Sequence, residues 1–281
     1  MKKTRKIVSL VLLIAFFIGL SVLLYPAISQ YYNSRLQMKA IVEYEEMADN
    51  ISDNDLRKML DAAQEYNKKI SSFGFPLTEA RELEEYNSIL NIDGKGMMGV
   101  LSIDKLRLQL PVYHGTSDAV LNTACGHLEG TSLPSGGTGT HCVLSAHRGL
   151  PASKLFTDLD KVEVGDVFTI SILSEVHTYQ VDQIKIVLPT DTADLAIDRN
   201  KDYCTLMTCT PYGINTHRLL VRGRRIETKE SKNLIITSDA YLINRLIVTP
   251  IVALPILLVL IIYVILKPVR KKPKFEEDDE M

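Results

Sequence analysis

The chain has 281 residues, of which 46% are hydrophobic and 23% charged, with a formal net charge of -2. That length holds one or two domains, and the near-neutral charge argues against a nucleic-acid partner. None of the four cysteines forms a Cys-x-x-Cys pair and no histidine spacing suits zinc, so neither a metal site nor a cofactor is expected.

The apolar residues are unevenly spread. Ile7 to Tyr25 and Leu246 to Leu266 carry no charge. A bilayer-spanning helix needs about 20 such residues. Lys2, Lys3, Arg5 and Lys6 precede the first span, and Lys267, Arg270, Lys271, Lys272 and Lys274 follow the second. Basic flanks stay in the cytoplasm. Both termini are therefore expected there, with the intervening domain exported and the cell membrane as the location. The competing reading of the first span is a cleaved signal peptide, since Ala27-Ile28-Ser29 loosely resembles a cleavage site. The second span would still hold the protein.

The expected layout is a basic N-terminus at 1–6, a transmembrane helix at 7–25 and an extracellular helical segment at 26–96. A β-domain follows at 97–228, then a linker at 229–245, a second transmembrane helix at 246–266 and an acidic-ended tail at 267–281. Within the helical segment, Tyr31 to Met47 is rich in helix formers. Ser52 with Asp55 forms a capping pattern that opens a helix over Asp53 to Ile70. Phe73-Gly74-Phe75-Pro76 breaks it, and Thr78 to Leu90 is a candidate third helix. The segment either spaces the domain from the membrane or packs on the active-site face and gates it.

From Met97 the texture becomes that of a β protein. Short apolar runs (Gly99 to Ile103, Leu106 to Val112, Val143 to Ala146, Val167 to Leu173, Thr178 to Val187) alternate with turn signals, as in a barrel or sandwich. Gly130 to Gly139 lacks Gly-Lys-Ser/Thr and reads as a surface loop, not a phosphate loop. Leu188 to Tyr203 is a long connection that should wall a groove.

The run Cys204 to Arg225 reads as strand, turn, strand, broken at Pro211-Tyr212-Gly213. Cys209 then ends one strand and Arg218 begins the next at the same end of a sheet. A thiol nucleophile meets a guanidinium that can support an oxyanion. Of the six histidines, His147 is the favoured partner. An apolar strand runs into it, and Gly149 and Pro151 end that strand. His217 should face away and His177 should be exposed. Cys125, Cys142 and Cys204 read as core or near-surface thiols. An exported domain could hold two disulfides, but Cys204 and Cys209, five apart, would face opposite sides of one strand.

The stretch TLMTCTPYGINTHRLLVRGRR resembles the sortase signature, a Thr-Leu-x-Thr-Cys strand followed by an arginine on the next strand. Thr-Pro-Tyr-Gly, Asn-Thr-His-Arg and Arg-Gly-x-Arg resemble the class C, pilus-assembling sortases. So do GHLEGTSLP (Gly126 to Pro134), SAHRGLP (Ser145 to Pro151), LPVYHGT (Leu110 to Thr116) and the two-span layout. The resemblance implies a mainly β fold: a closed barrel of about eight strands with N-terminal helices and two flanking transmembrane helices. It implies a cysteine transpeptidase that cleaves an LPxTG-like sorting signal between Thr and Gly. Cys209 forms the thioester, His147 moves the proton and Arg218 holds the carbonyl oxygen. A lysine on the next pilin subunit then resolves the thioester into an isopeptide bond. Thr208, Tyr212 and Asn215 are candidate substrate contacts. Class C sortases commonly carry an Asp-Pro-aromatic lid. This chain has no such tripeptide, and Phe73 and Phe75 are its lid candidates. The alternatives are a sortase that attaches proteins to the cell-wall precursor and a membrane-tethered binding domain without chemistry.

Overall fold

The computed structural model of the protein describes residues 2–73, 84–228 and Leu257. Backbone contacts divide the chain into two units, Met1–Ala27 with Leu234–Met281, and Ile28–Asn233. Helix α1 (Lys2–Asp49) begins in the first unit and continues into the second through Pro26. It is long and apolar enough to cross a membrane. The expected linker 229–245, second span 246–266 and tail 267–281 lie outside the described residues, Leu257 excepted.

In the second unit α1 turns one face to the domain. Ile41, Tyr44 and Ala48 pack on Met97 and Val100. The Tyr44 hydroxyl donates to Met98 O at 2.9 Å and accepts from Leu173 N at 3.0 Å. Helix α2 (Asp53–Ser72) starts where the capping pattern places it: Ser52 Oγ accepts from Asp55 N at 3.2 Å and donates to the Asp55 carboxylate at 2.8 Å. Its buried face is Ala63, Tyr66, Asn67 and Ile70. Phe73 caps its end and is exposed, whereas Phe75 lies outside the described residues. Of the expected third helix, the described part holds only a 3-10 turn at Glu84–Ser88.

The remaining elements close into a barrel. Its strands are β1 (Met97–Ile103), β2 (Leu108–His114), β3 (Cys125–His127), β4 (Thr140–Ser145), β5 (Val167–Ile172), β6 (Glu175–Val187), β7 (Asp202–Thr210) and β8 (His217–Ile226). A short helix, α3 (Asp118–Leu121), joins β2 to β3. Around the barrel the order is β1-β2-β3-β4-β7-β8-β6-β5. The pairs β2–β3 and β4–β7 are parallel and the others antiparallel.

Alternating side chains divide inside from outside. Cys142, Leu144 and Ala146 from the β4 segment, Cys204 and Leu206 of β7, and Leu219 and Val221 of β8 join the central core. Val143, Met207 and Leu220, their neighbours, point outward and form a second cluster beneath Leu195. Leu195 belongs to the long connection 188–201. That connection is pinned by Asp194, which accepts from Lys185 Nζ at 2.5 Å and Gln183 Nε2 at 3.2 Å. His141 reinforces it, spanning from Ala196 O (2.9 Å) to Thr205 Oγ1 (2.7 Å). The connection thus covers part of the outer face of β4, β7 and β8 through Leu195.

Candidate active site

The strand register assembles the site. Cys209 of β7 pairs directly with Arg218 of β8, and Thr210 with His217. On the other flank β4 runs parallel to β7, with Ser145 opposite Met207. One further backbone bond, Ala146 N to Met207 O at 3.2 Å, carries that register past the end of β4. His147 therefore follows at the level of Cys209. Val143 and Met207 mark the outward side, and His147 and Cys209 lie at even offsets from them; Arg218 is two residues from outward-facing Leu220. Cys209 and Arg218 share the outward face at one rim, His147 follows the end of β4 at that rim, and all three are half-buried.

Short hydrogen bonds fix each position. Thr208 Oγ1 donates to Ala146 O at 2.7 Å, tying the nucleophile strand to the histidine strand. Thr208 is buried, so its hydroxyl shapes the strand end. His147 O accepts from Phe156 N at 3.1 Å, which folds the following loop back under the histidine. Arg218 Nη1 donates to His217 O at 3.2 Å and Asn215 O at 3.4 Å, linking the guanidinium to the β7–β8 loop. In that loop Asn215 has a left-handed φ of 62°, and Tyr212 and Asn215 are exposed. Tyr212 lies over Gly149: a Cβ at Gly149 would come within 2.8 Å of its ring. The loop after Cys209 and the loop after His147 thus touch across the site.

The other histidines are occupied elsewhere. His127 is fully buried. Its Nε2 lies 2.9 Å from Ser132 O, which only accepts, so Nε2 carries the proton; Nδ1 then accepts from the Tyr86 hydroxyl at 2.9 Å. His114 binds Gly96 O through Nδ1. His177, expected to be exposed, is buried against Arg225, because β8 closes over the start of β6. Burial lowers the pKa of all four of His114, His127, His141 and His177. His217 bonds Thr216 Oγ1. Among the described residues His147 has no hydrogen-bond partner for its ring, which leaves both nitrogens available to a substrate.

The buried network gives a pH prediction. Burial holds His127 at about 4, below its ordinary 6.5. Above pH 6.5 the ring is neutral folded or unfolded and its titration has no effect. As pH falls from 6.5 towards 4, the unfolded chain takes up a proton that the folded one refuses. Stability is therefore lost through that window, by about 2 kcal/mol at pH 5 from His127 alone. The urea midpoint should fall between pH 7.5 and 5, and a flat midpoint would contradict the buried neutral ring.

The cysteines sort as the residue pattern suggested. All four are free; Cys125, Cys142 and Cys204 are buried, and only Cys209 reaches the surface. No disulfide forms. Comparison with known proteins supplies the family. The Sortase domain model matches residues 101–226. The structure of sortase C1 from Streptococcus agalactiae is 54% identical, covering 68% of this chain and 100% of that one, with a TM-score of 0.66. The chain belongs to the sortase family. A pilus-related sortase C of Group B Streptococcus is 41% identical, covering 66% of this chain and 96% of that one, with a TM-score of 0.60. Sortase D of Bacillus subtilis is 28% identical over 131 residues, 46% of this sortase and 63% of that protein. The chain thus spans under two thirds of that curated relative. The segment 101–226 matched by the Sortase domain model contains His147, Cys209 and Arg218, and the solved neighbours place this sortase beside class C members.

Two features of the site escaped the sequence reading. Strand β3, between β2 and β4, is three residues long and shows no alternation. Arg148, next to His147, has a nearly buried guanidinium, with side-chain exposure of 9%.

Proposed function

We propose that this sortase is a membrane-anchored cysteine transpeptidase that joins pilin subunits. Cys209 Sγ attacks the Thr carbonyl carbon of an LPxTG-like sorting signal. Arg218 supports the oxygen as it becomes negative. The Thr–Gly C–N bond breaks, His147 gives its proton to the departing glycine amine, and a thioester remains on Cys209. A lysine amine of the next pilin attacks that carbonyl and passes its proton to His147, and the thiolate leaves. The product is an isopeptide bond, and the enzyme returns to its starting state.

The observation that carries the reading is the pairing of Cys209 with Arg218 across β7 and β8, with His147 following the end of the neighbouring strand β4 at the same rim. The likeness to a pilus-related sortase C at 41% identity favours pilin as the substrate. The first span, the second span and their basic flanks support a catalytic domain outside the cell membrane with both termini inside. Tyr212 and Asn215 are proposed to contact the sorting signal. The test is to supply purified pilin with its sorting signal and acceptor lysine. A ladder of high-mass, SDS-resistant polymers is expected. Cleavage without a ladder, with transfer to a peptidoglycan-like amine, would instead indicate wall attachment.

Phe73 and Phe75 are proposed to serve as the lid. Alkylation of Cys209 by a small haloacetamide should speed up when both are replaced by alanine. An unchanged rate would remove the lid.

A further inference from the structure

We infer that Arg148 is a positioning residue that holds the histidine segment and the nucleophile strand in register at the barrel mouth. The inference rests on the transpeptidase reading for its substrate assay, but its geometry is independent of the pilin.

Backbone pairing between β4 and β7 stops at Ala146 N to Met207 O. Nothing in the strand ladder reaches His147. Arg148, the next residue, bridges the gap with its side chain. Its Nη1 donates to Thr210 Oγ1 at 3.2 Å, and Thr210 directly follows Cys209. Its Nη2 donates to the Asp160 carboxylate at 2.5 Å. Asp160 sits in the 3-10 turn Leu159–Lys161, which packs through buried Leu159 into the barrel core. One guanidinium therefore ties together the residue after the base, the residue after the nucleophile and a rigid turn.

Arg148 acts from behind the site. Thr210 lies on the inward side of β7, one residue from outward-facing Cys209, and is buried. A substrate on the outer face would meet Arg218, whereas Arg148 reaches β7 through inward-facing Thr210. The rest of the segment is held in a consistent way. Gly149 N donates to Thr157 Oγ1 at 3.1 Å, and Phe156 N to His147 O. The fork geometry matters. Two bonds in fixed directions need a guanidinium, and a lysine ammonium would supply charge without that frame. Arg148 Nε is buried and has no partner among the described residues. The arginine is thus kept at a desolvation cost, as expected where placement matters more than stability.

The test compares wild type with Arg148→Lys, Arg148→Ala and Thr210→Val, at a temperature where each is folded by circular dichroism. Wild-type turnover of an LPxTG peptide is measured first, and its absence would count against the transpeptidase reading, not against Arg148. In Arg148→Lys, kcat should fall about 10- to 100-fold with KM within about twofold, the size expected from misplacing a reacting group by about 1 Å. Millimolar guanidinium should restore part of the rate in Arg148→Ala. Thr210→Val, which keeps side-chain shape, should lose about threefold to tenfold in kcat, and it stands in if the arginine variants do not fold. The second readout needs no substrate: the pH profile of Cys209 alkylation should shift in Arg148→Lys. A lowered melting temperature with kcat and alkylation profile unchanged would overturn the proposal, as would a raised KM with kcat retained.

Discussion

Cys209→Ala should lower transpeptidation on the order of 10,000-fold or more, leaving no polymer ladder and no peptide cleavage above background. No other thiol can take over. Cys125 and Cys204 are fully buried in the barrel core, where burial pushes both thiols well above their ordinary range. Cys142 is buried beside them, paired with Cys204 across β4 and β7. None faces the outer side of the sheet, so none can reach a peptide carbonyl there. Because Cys209 is half-buried at a strand end, the alanine variant should fold normally. Its melting temperature is the control that separates lost chemistry from lost structure.

His147→Ala should lower kcat by about 100- to 10,000-fold with a smaller change in KM, the span typical of a positioned acid–base group. The leaving glycine amine needs a proton in the first half-reaction, and the incoming lysine amine must lose one in the second. His127, His141 and His177 cannot supply this step. Each is buried, and His141 bridges Ala196 O and Thr205 Oγ1. His217 is the nearest alternative by register, opposite Thr210, but its ring already bonds Thr216. A His217→Ala variant should therefore keep most of the activity lost in His147→Ala. Equal losses in the two would reassign the base.

Much of the site could be read from the residues because its pieces sit at strand ends marked by turn chemistry. Pro211 to Gly213 broke the apolar run, and a hairpin across that break had to bring Cys209 and Arg218 to one end. β4 ends at Ser145, two residues before His147, with Gly149 and Pro151 in the loop beyond. Barrel closure was less legible. The parallel contact between β4 and β7 joins strands separated by about 60 residues, and no local pattern announces it. β3 is too short to show a period. His177 lies at a strand start and reads as exposed, yet β8 pairs across β6 and covers it. In the described part of the expected third helix, Glu84–Ser88 forms a 3-10 turn, because Tyr86, Ile89 and Leu90 are drawn into the core, which overrides local propensity. Arg148 was hidden for a general reason. An arginine in a loop is normally solvent-facing, and only the fold brings Asp160 and Thr210 to it.

The most direct test of the central claim is the intact mass of the enzyme after brief mixing with an LPxTG peptide in the absence of an acceptor amine. A covalent adduct equal to the peptide minus its Gly-containing leaving fragment is expected. Proteolytic mapping should place it on Cys209, and hydroxylamine should remove it as it removes a thioester. An adduct on another cysteine, or peptide turnover that persists in Cys209→Ala, would contradict the account.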